Sequence, residues 1–243
     1  MPGTSGEIAS RAATGDVSVM PPMKSFSMPR PAAPQRPNVD LARDFLDLSM
    51  KLESGRQLSV LSRFETPITV RVTGAPAATL LPDLNRLLHR VRNEAGINIR
   101  QVEGQAANIT IEAVSRADIR RHLPQAACFV VPNISTLAEY RQARRARLTS
   151  WSALETRKRI AIFVPNDTSP QEVRDCLHEE LAQAIGPLND LYRLSDSVFN
   201  DDNVHTVLTG FDMLMLRAFY APELRSGMSR RQVADRLPGI LRR

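Results

Sequence analysis

The sequence predicts an α/β fold: a mixed sheet, a central helix carrying a cluster of polar side chains, and two closing helices. Three observations predict it. Short apolar or alternating runs at Ile68–Val72, Ile109–Val114 and Ile160–Val164 read as strands, because side chains on a strand repeat every second residue. Between them, Leu84, Leu87, Leu88 and Val91 recur at helical spacing. After the last strand, Ser169-Pro170-Gln171-Glu172 has the form of a helix start, with a cap, a proline at the first position and a Glu three residues on.

Taken in order, residues 1–38 hold Pro21, Pro22, Pro29, Pro31, Pro34 and Pro37 among Ala, Ser and Gly, without periodicity. They are expected to form a disordered tether ahead of a single domain over residues 39–243. Asp40–Leu52 is amphipathic through Leu41, Phe45, Leu48 and Leu52. Ile68–Val72 follows as a strand, then a helix over Leu80–Val91 stopped by Gly96. Ile97–Val102 and Ile109–Val114 are expected to pair around Gly104. A short helix at Ala117–His122, a strand about Phe129 and the strand Ile160–Val164 lead to the helix at 170–185, which Gly186-Pro187 ends. Thr209 with Asp212, and Ser229 with Gln232, mark two last helices.

The helix at 170–185 carries the one enzyme-like stretch, Cys176 to Asp190. His178-Glu179 begins a His-Glu-x-x-His zinc motif, but the second ligand position is Ala182. Shifted by one residue, Glu179-Glu180-x-x-Gln183-x-x-Gly186-x-x-Asn189 keeps the longer metzincin spacing with oxygen side chains in place of imidazoles. At about 100° per residue, Val173, Leu177, Leu181, Ala184 and Ile185 share one stripe. Glu179, Glu180 and Gln183 flank that stripe together, with Glu180 nearest the core. His178 points away. The shifted register therefore fits, and the alternative is a solvated acidic face. A carboxylate at Glu180's position needs a partner or a cleft.

The segment from about Arg174 to Met228 resembles an uncharacterised bacterial family known only as a domain of unknown function. The resemblance rests on Glu179, Glu180, Gln183, Gly186, Asn189 and Asp190, then Ser197–Asp201, Phe219–Pro222 and Gly227-Met228. Phe219-Tyr220 stands where Leu-Tyr is usual, and the likeness continues upstream to about Asn38. It implies a fold and no established activity. A second likeness, to zincins and metzincins, rests on the helix spacing and on the order strand, helix, several strands, then the polar helix.

Composition narrows the remaining classes. A chain of 243 residues with 42% hydrophobic content can bury one good core, and at most two small ones. It has no apolar run of about 18 residues to span a membrane. No hydrophobic signal core follows Met1, so a secretion signal is expected to be absent or removed. Cys128 lies in an apolar strand-like run and Cys176 beside the buried stripe. They read either as two buried thiols or, in an exported protein, as a bridge with Cα atoms within about 7 Å. The net charge is +6, with Arg141, Arg144, Arg145 and Arg147 in a short run. Aromatics are only 5% and no nucleic-acid motif is present, so a soluble Arg-rich face outranks nucleic-acid or anionic-surface binding.

Three minor candidates complete the reading. Asp196–Asn203 has the composition of a calcium loop without its central Gly and closing Glu, and reads as an acidic turn. His205 is a candidate lone metal ligand beside Glu179 and Gln183, against a satisfied or solvent-facing histidine. Met228 after Gly227 is a candidate Met-turn, against a core methionine. The function expected is a catalytically degenerate, metallopeptidase-like domain. It would bind a peptide or cell-envelope component at a cleft lined by Glu179, Gln183, Asn189 and Asp190. The alternative is an active metallopeptidase with Glu180 as base and an atypical, oxygen-rich metal site that could hold zinc; a basic nucleic-acid module comes third. No cofactor is expected under the first reading. Periplasm or envelope is favoured if a signal has been removed, cytoplasm otherwise.

Overall fold

In a computed structural model, residues 9–12, 36–104, 106–143, 148–200 and 205–242 are described. The strands are β1 (Ala9–Ala12), β2 (Ile68–Gly74), β3 (Ile99–Gln101), β4 (Ile109–Val114), β5 (Ala126–Pro132) and β6 (Ile160–Pro165). The helices are α1 (Asn38–Ser49), α2 (Leu80–Ala95), α3 (Arg116–His122), α4 (Leu137–Ala143), α5 (Pro170–Ile185), α6 (Gly210–Phe219) and α7 (Arg230–Ile240). One mixed sheet runs β1-β5-β6-β4-β2-β3. β3, β2, β4 and β6 are parallel, and β5 runs antiparallel to both β6 and β1.

Alternation divides the sheet's side chains between two cores. Ile68, Val70, Ile109, Ile111, Ile160, Ile162, Val164, Cys128 and Val130 face the larger one, covered by α1, α2, α5, α6 and α7. Phe129, Val131, Ala161 and Phe163 face a smaller one with α3 and α4, where Tyr140 lies 5.4 Å from the Phe129 ring. Among the described residues, α3 and α4 cover this second face near β5 and β6. At β2 it carries Thr69, Arg71 and Thr73, all partly exposed, which is why that strand alternates so plainly in sequence.

Several expectations shift. α1 begins at Asn38 and stops at Ser49, leaving Leu52 buried just beyond it. α2 extends to Ala95, where Gly96 takes the left-handed conformation at φ 71° that lets its N–H meet the Arg92 and Val91 carbonyls. β3 and β4 do not pair: β2 lies between them and is parallel to both. The chain near Gly104 is thus a crossover rather than a hairpin. α4 was not expected, although Thr136 and Glu139 have capping spacing and the Glu139 N–H does donate to Thr136 Oγ1 (3.1 Å). β1 lies inside the segment read as a tether; residues 1–8 and 13–35 of that segment are outside the described residues, as are Arg144, Arg145 and Arg147. Among the described residues, no helix is long and apolar enough to cross a membrane.

Candidate functional site

Helix α5 starts as its sequence dictates. The Ser169 hydroxyl accepts from the Glu172 N–H (3.1 Å), and Pro170 occupies the first turn, where no N–H is needed. From Val173 to Ile185 every residue is then buried. Neither a solvated acidic face nor a single buried stripe survives this: the helix has core on all sides. Glu180 and Gln183 are 0% exposed, and His178, expected to point away, is 7% exposed.

His178 holds the segment that leads into α6, its Nδ1 accepting from the Leu208 N–H (3.2 Å). Gln183 reaches the chain after α1, donating from Nε2 to Glu53 Oε1 (3.3 Å). Asn189 reaches the same region, donating from Nδ2 to the Asp47 carbonyl (3.0 Å). Asp190 is half-buried beside it. The expected cleft residues Gln183 and Asn189 are therefore knitted to α1 and its exit. His205 is bonded elsewhere, its Nε2 2.9 Å from the Ser195 carbonyl. Among the described residues, no three His, Cys, Asp or Glu side chains assemble into a metal-holding group.

The C-terminal end of α5 is closed by a residue that sequence reading passed over. Arg157 is fully buried and donates from Nη1 to the carbonyls of Gln183 (2.7 Å) and Ala184 (2.9 Å), and from Nη2 to that of Gly186 (2.6 Å). The Tyr220 hydroxyl donates to the Ile185 carbonyl (2.8 Å). Four successive carbonyls that the helix leaves unpaired are thus met by side chains, and a cation sits where the helix dipole is negative. Arg157 also stacks between Trp151 (5.1 Å) and Phe219 (5.5 Å). Burial lowers its pKa to about 10, and Tyr220 opposes that shift. It therefore stays charged at neutral pH. Burial pushes the Tyr220 hydroxyl up, so it remains a donor. Arg157 stands in a run, Arg157-Lys158-Arg159, that reads as solvated charge; nothing in the spacing distinguishes it.

Gly186 lets α6 pack close, and its φ is not in the left-handed region. A Cβ there would lie 2.7 Å from Leu216 Cδ2 and 3.3 Å from the Ala182 carbonyl oxygen, so a larger residue would have to push the Leu216 side chain of α6 aside. On the other side of α5, Cys176 is bonded to Cys128 of β5, with Cα atoms 5.9 Å apart. Arg174 pairs with Asp83 of α2 (3.2 Å), both buried.

The remaining motif residues build turns. Ser197 donates to Asp212 Oδ1 (2.5 Å) and accepts from the Phe199 N–H (3.0 Å), while Asn200 donates to the Tyr192 carbonyl (2.9 Å). Asp212 also accepts from the N–H groups of Thr209 (2.7 Å) and Val198 (3.2 Å) and closes the α6 capping box. Asp196, at the head of the calcium-like stretch, pairs with Arg36; Asp201, Asp202 and Asn203 lie outside the described residues. Gly227-Met228 pairs with Leu61, whose N–H donates to the Met228 carbonyl (2.8 Å), and the Met228 side chain packs on the larger core.

A family model described as "Protein of unknown function (DUF2927)" matches residues 38–239. Comparison with curated proteins gives no match.

Proposed function

The chain belongs to the DUF2927 family, and for it we propose a non-hydrolytic binding domain of metallopeptidase-like layout that recognises a peptide or an envelope component. One observation carries the non-hydrolytic half: α5, the helix with the enzyme-like spacing, is buried on every face from Val173 to Ile185. A general base must touch the water or substrate it activates. Glu180 is 0% exposed, which supports a part in the fold rather than in catalysis. Gln183 and Asn189, bonded to Glu53 and to the Asp47 carbonyl, support the same reading. The order of strands ahead of α5 supports the metallopeptidase-like layout. The Cys128–Cys176 bridge supports an oxidising compartment such as the periplasm or envelope.

Metal analysis of the purified chain, paired with a peptide-hydrolysis assay on the parent and Glu180→Gln, tests this. Expected are substoichiometric zinc and no turnover in either protein. Stoichiometric zinc, with hydrolysis present in the parent and absent in a stable Glu180→Gln variant, would establish an active metallopeptidase instead.

A further inference from the structure

The two edges of the sheet are built differently. β3 has three residues and carries exposed Arg100, which is how an edge is usually blunted. β5, toward the other edge, has seven residues, Ala126-Ala-Cys-Phe-Val-Val-Pro132, all buried and none charged. Both its faces are packed, with Cys128 and Val130 in one core and Phe129 and Val131 in the other. A strand so long and so apolar, left open, is a template for pairing with another chain.

Its cover comes from elsewhere in the sequence. β1 pairs antiparallel with β5, placing Ala9 opposite Val130, Ser10 opposite Phe129, Arg11 opposite Cys128 and Ala12 opposite Ala126. The register shifts between Arg11 and Ala12, so even this four-residue strand is interrupted. Residues 9–12 also fall outside 38–239, the span the family shares. The family domain itself therefore ends at β5, and an appended segment supplies the last strand. β5 is meanwhile fixed in place, paired to β6 and bonded through Cys128 to α5.

We propose that the outer edge of β5 is a docking strand for an extended segment of another polypeptide, and that Ala9–Ala12 occupies it in cis as a built-in competitor. The inference rests on the peptide-binding reading and gives that reading a place. Recognition is by main-chain hydrogen bonds in antiparallel sense, the mode in which a peptide adds a strand to a sheet. The sequence Ala-Ser-Arg-Ala of the cis strand sets the partner's chemistry: a short segment dominated by small side chains, free of proline.

The test uses the full chain and a double substitution, Ser10→Pro with Arg11→Pro. Successive N–H groups on a strand point to opposite sides, so one of the two prolines removes a donor aimed at β5. The probe is a fluorescent decapeptide of residues 6–15 carrying Arg11→Gln. A tethered strand competes at an effective concentration of roughly millimolar, so the double variant should bind the probe about tenfold or more tighter than the parent. Amide exchange in β5 should quicken in the variant and slow again when the probe is added. Equal affinity for parent and variant, or no binding by a folded variant, overturns the proposal. If the variant fails to fold, the parent serves. Trypsin reaches Arg11 only when β1 leaves the sheet, and excess probe, which contains no Lys or Arg, should speed that cut several-fold. An unchanged rate overturns the proposal. Cleavage of the bound probe would leave docking at β5 intact and sink the non-hydrolytic reading.

Discussion

Helices α2 and α5 lie side by side, joined by the Asp83–Arg174 pair, and each runs for 16 residues. α2 is amphipathic in the ordinary way: Leu84, Leu87, Leu88 and Val91 go inward, while Arg86, His89, Arg92 and Asn93 are exposed. α5 has as many charged side chains and no exposed face after Glu172. The difference lies in what meets those side chains. α2 leaves Arg86, His89, Arg92 and Asn93 to water and buries Asp83 and Arg90 with partners. α5 instead has Arg157, Tyr220, Leu208 and Glu53 brought to its own groups. Polar residues on α5 are thus structural elements, and changing them should cost what a core change costs.

The largest effect should come from Arg157→Ala. It opens a cavity and strips donors from the carbonyls of Gln183, Ala184 and Gly186 at a buried site. We expect a loss of about 4 kcal/mol, read from urea unfolding as a lower midpoint at unchanged slope. A loss below about 1 kcal/mol would mean that water replaces the guanidinium, and that α5 is no more enclosed than α2.

Next comes the bridge. Cys128 and Cys176 close a loop with a sequence separation of 48, which chain entropy alone values at about 4 kcal/mol. Replacing both with Ala should approach that loss in unfolding free energy. Reductant should lower the parent's melting temperature and leave the double variant unaffected.

What the sequence made legible follows the same contrast. β2 and α2 each keep one face in water, so their period is visible and their core residues can be named. The caps at Ser169, Thr209 and Ser229 are local and were equally visible, because a cap needs only residues within one turn. α5 is the opposite case: a helix buried on every side has no solvent face, so the apolar stripe at Val173, Leu177 and Leu181 does not mark where burial ends. His178 points away from that stripe in the helical projection and is buried all the same. Arg157 was invisible because its partners lie 26 to 29 residues ahead. The same use of arginine recurs at other helix ends. Arg63 donates to Phe219 and Ala221 carbonyls, Arg217 to Glu94 and Arg230 to Leu46. These four arginines, Arg157 included, close helix C-termini, a task the forked guanidinium suits better than an ammonium does.

Asp212, buried at the start of α6, extends the comparison to pH. Burial raises its pKa above the ordinary 3.8, against hydrogen bonds from Ser197, Thr209 and Val198 that lower it. A folded value above the unfolded one favours the protonated acid. The resulting stability is full below the unfolded value and is lost as pH rises through the folded one. Asp212→Asn does not titrate, so its deficit relative to the parent should be wider near pH 4 than at pH 7. A deficit that widens toward neutral pH would reverse the assignment. Glu180→Gln should cost about 1–3 kcal/mol at neutral pH, the range for disturbing a buried charge-assisted hydrogen bond. A neutral result would place Glu180 with the residues of α2.

The smallest expected effect is the sharpest, because one carboxylate serves both helices. Asp83 is buried and pairs with Arg86 from α2 and with Arg174 from α5. The Arg86 side chain is 68% exposed and that of Arg174 only 4%. Water can replace an exposed guanidinium, and holding a long side chain in place offsets much of the attraction. Arg86→Ala should therefore change stability by no more than about 0.5 kcal/mol. Arg174→Ala leaves Asp83 with a partner only at its solvent side, and should cost several times as much, about 2–3 kcal/mol. Urea unfolding of the two single variants and the double variant decides it. If the two losses are equal, Asp83 does not distinguish its neighbours by burial, and enclosure is not what separates α5 from α2. If the double variant loses more than the sum, each arginine partly substitutes for the other, and the contrast between the helices is one of degree.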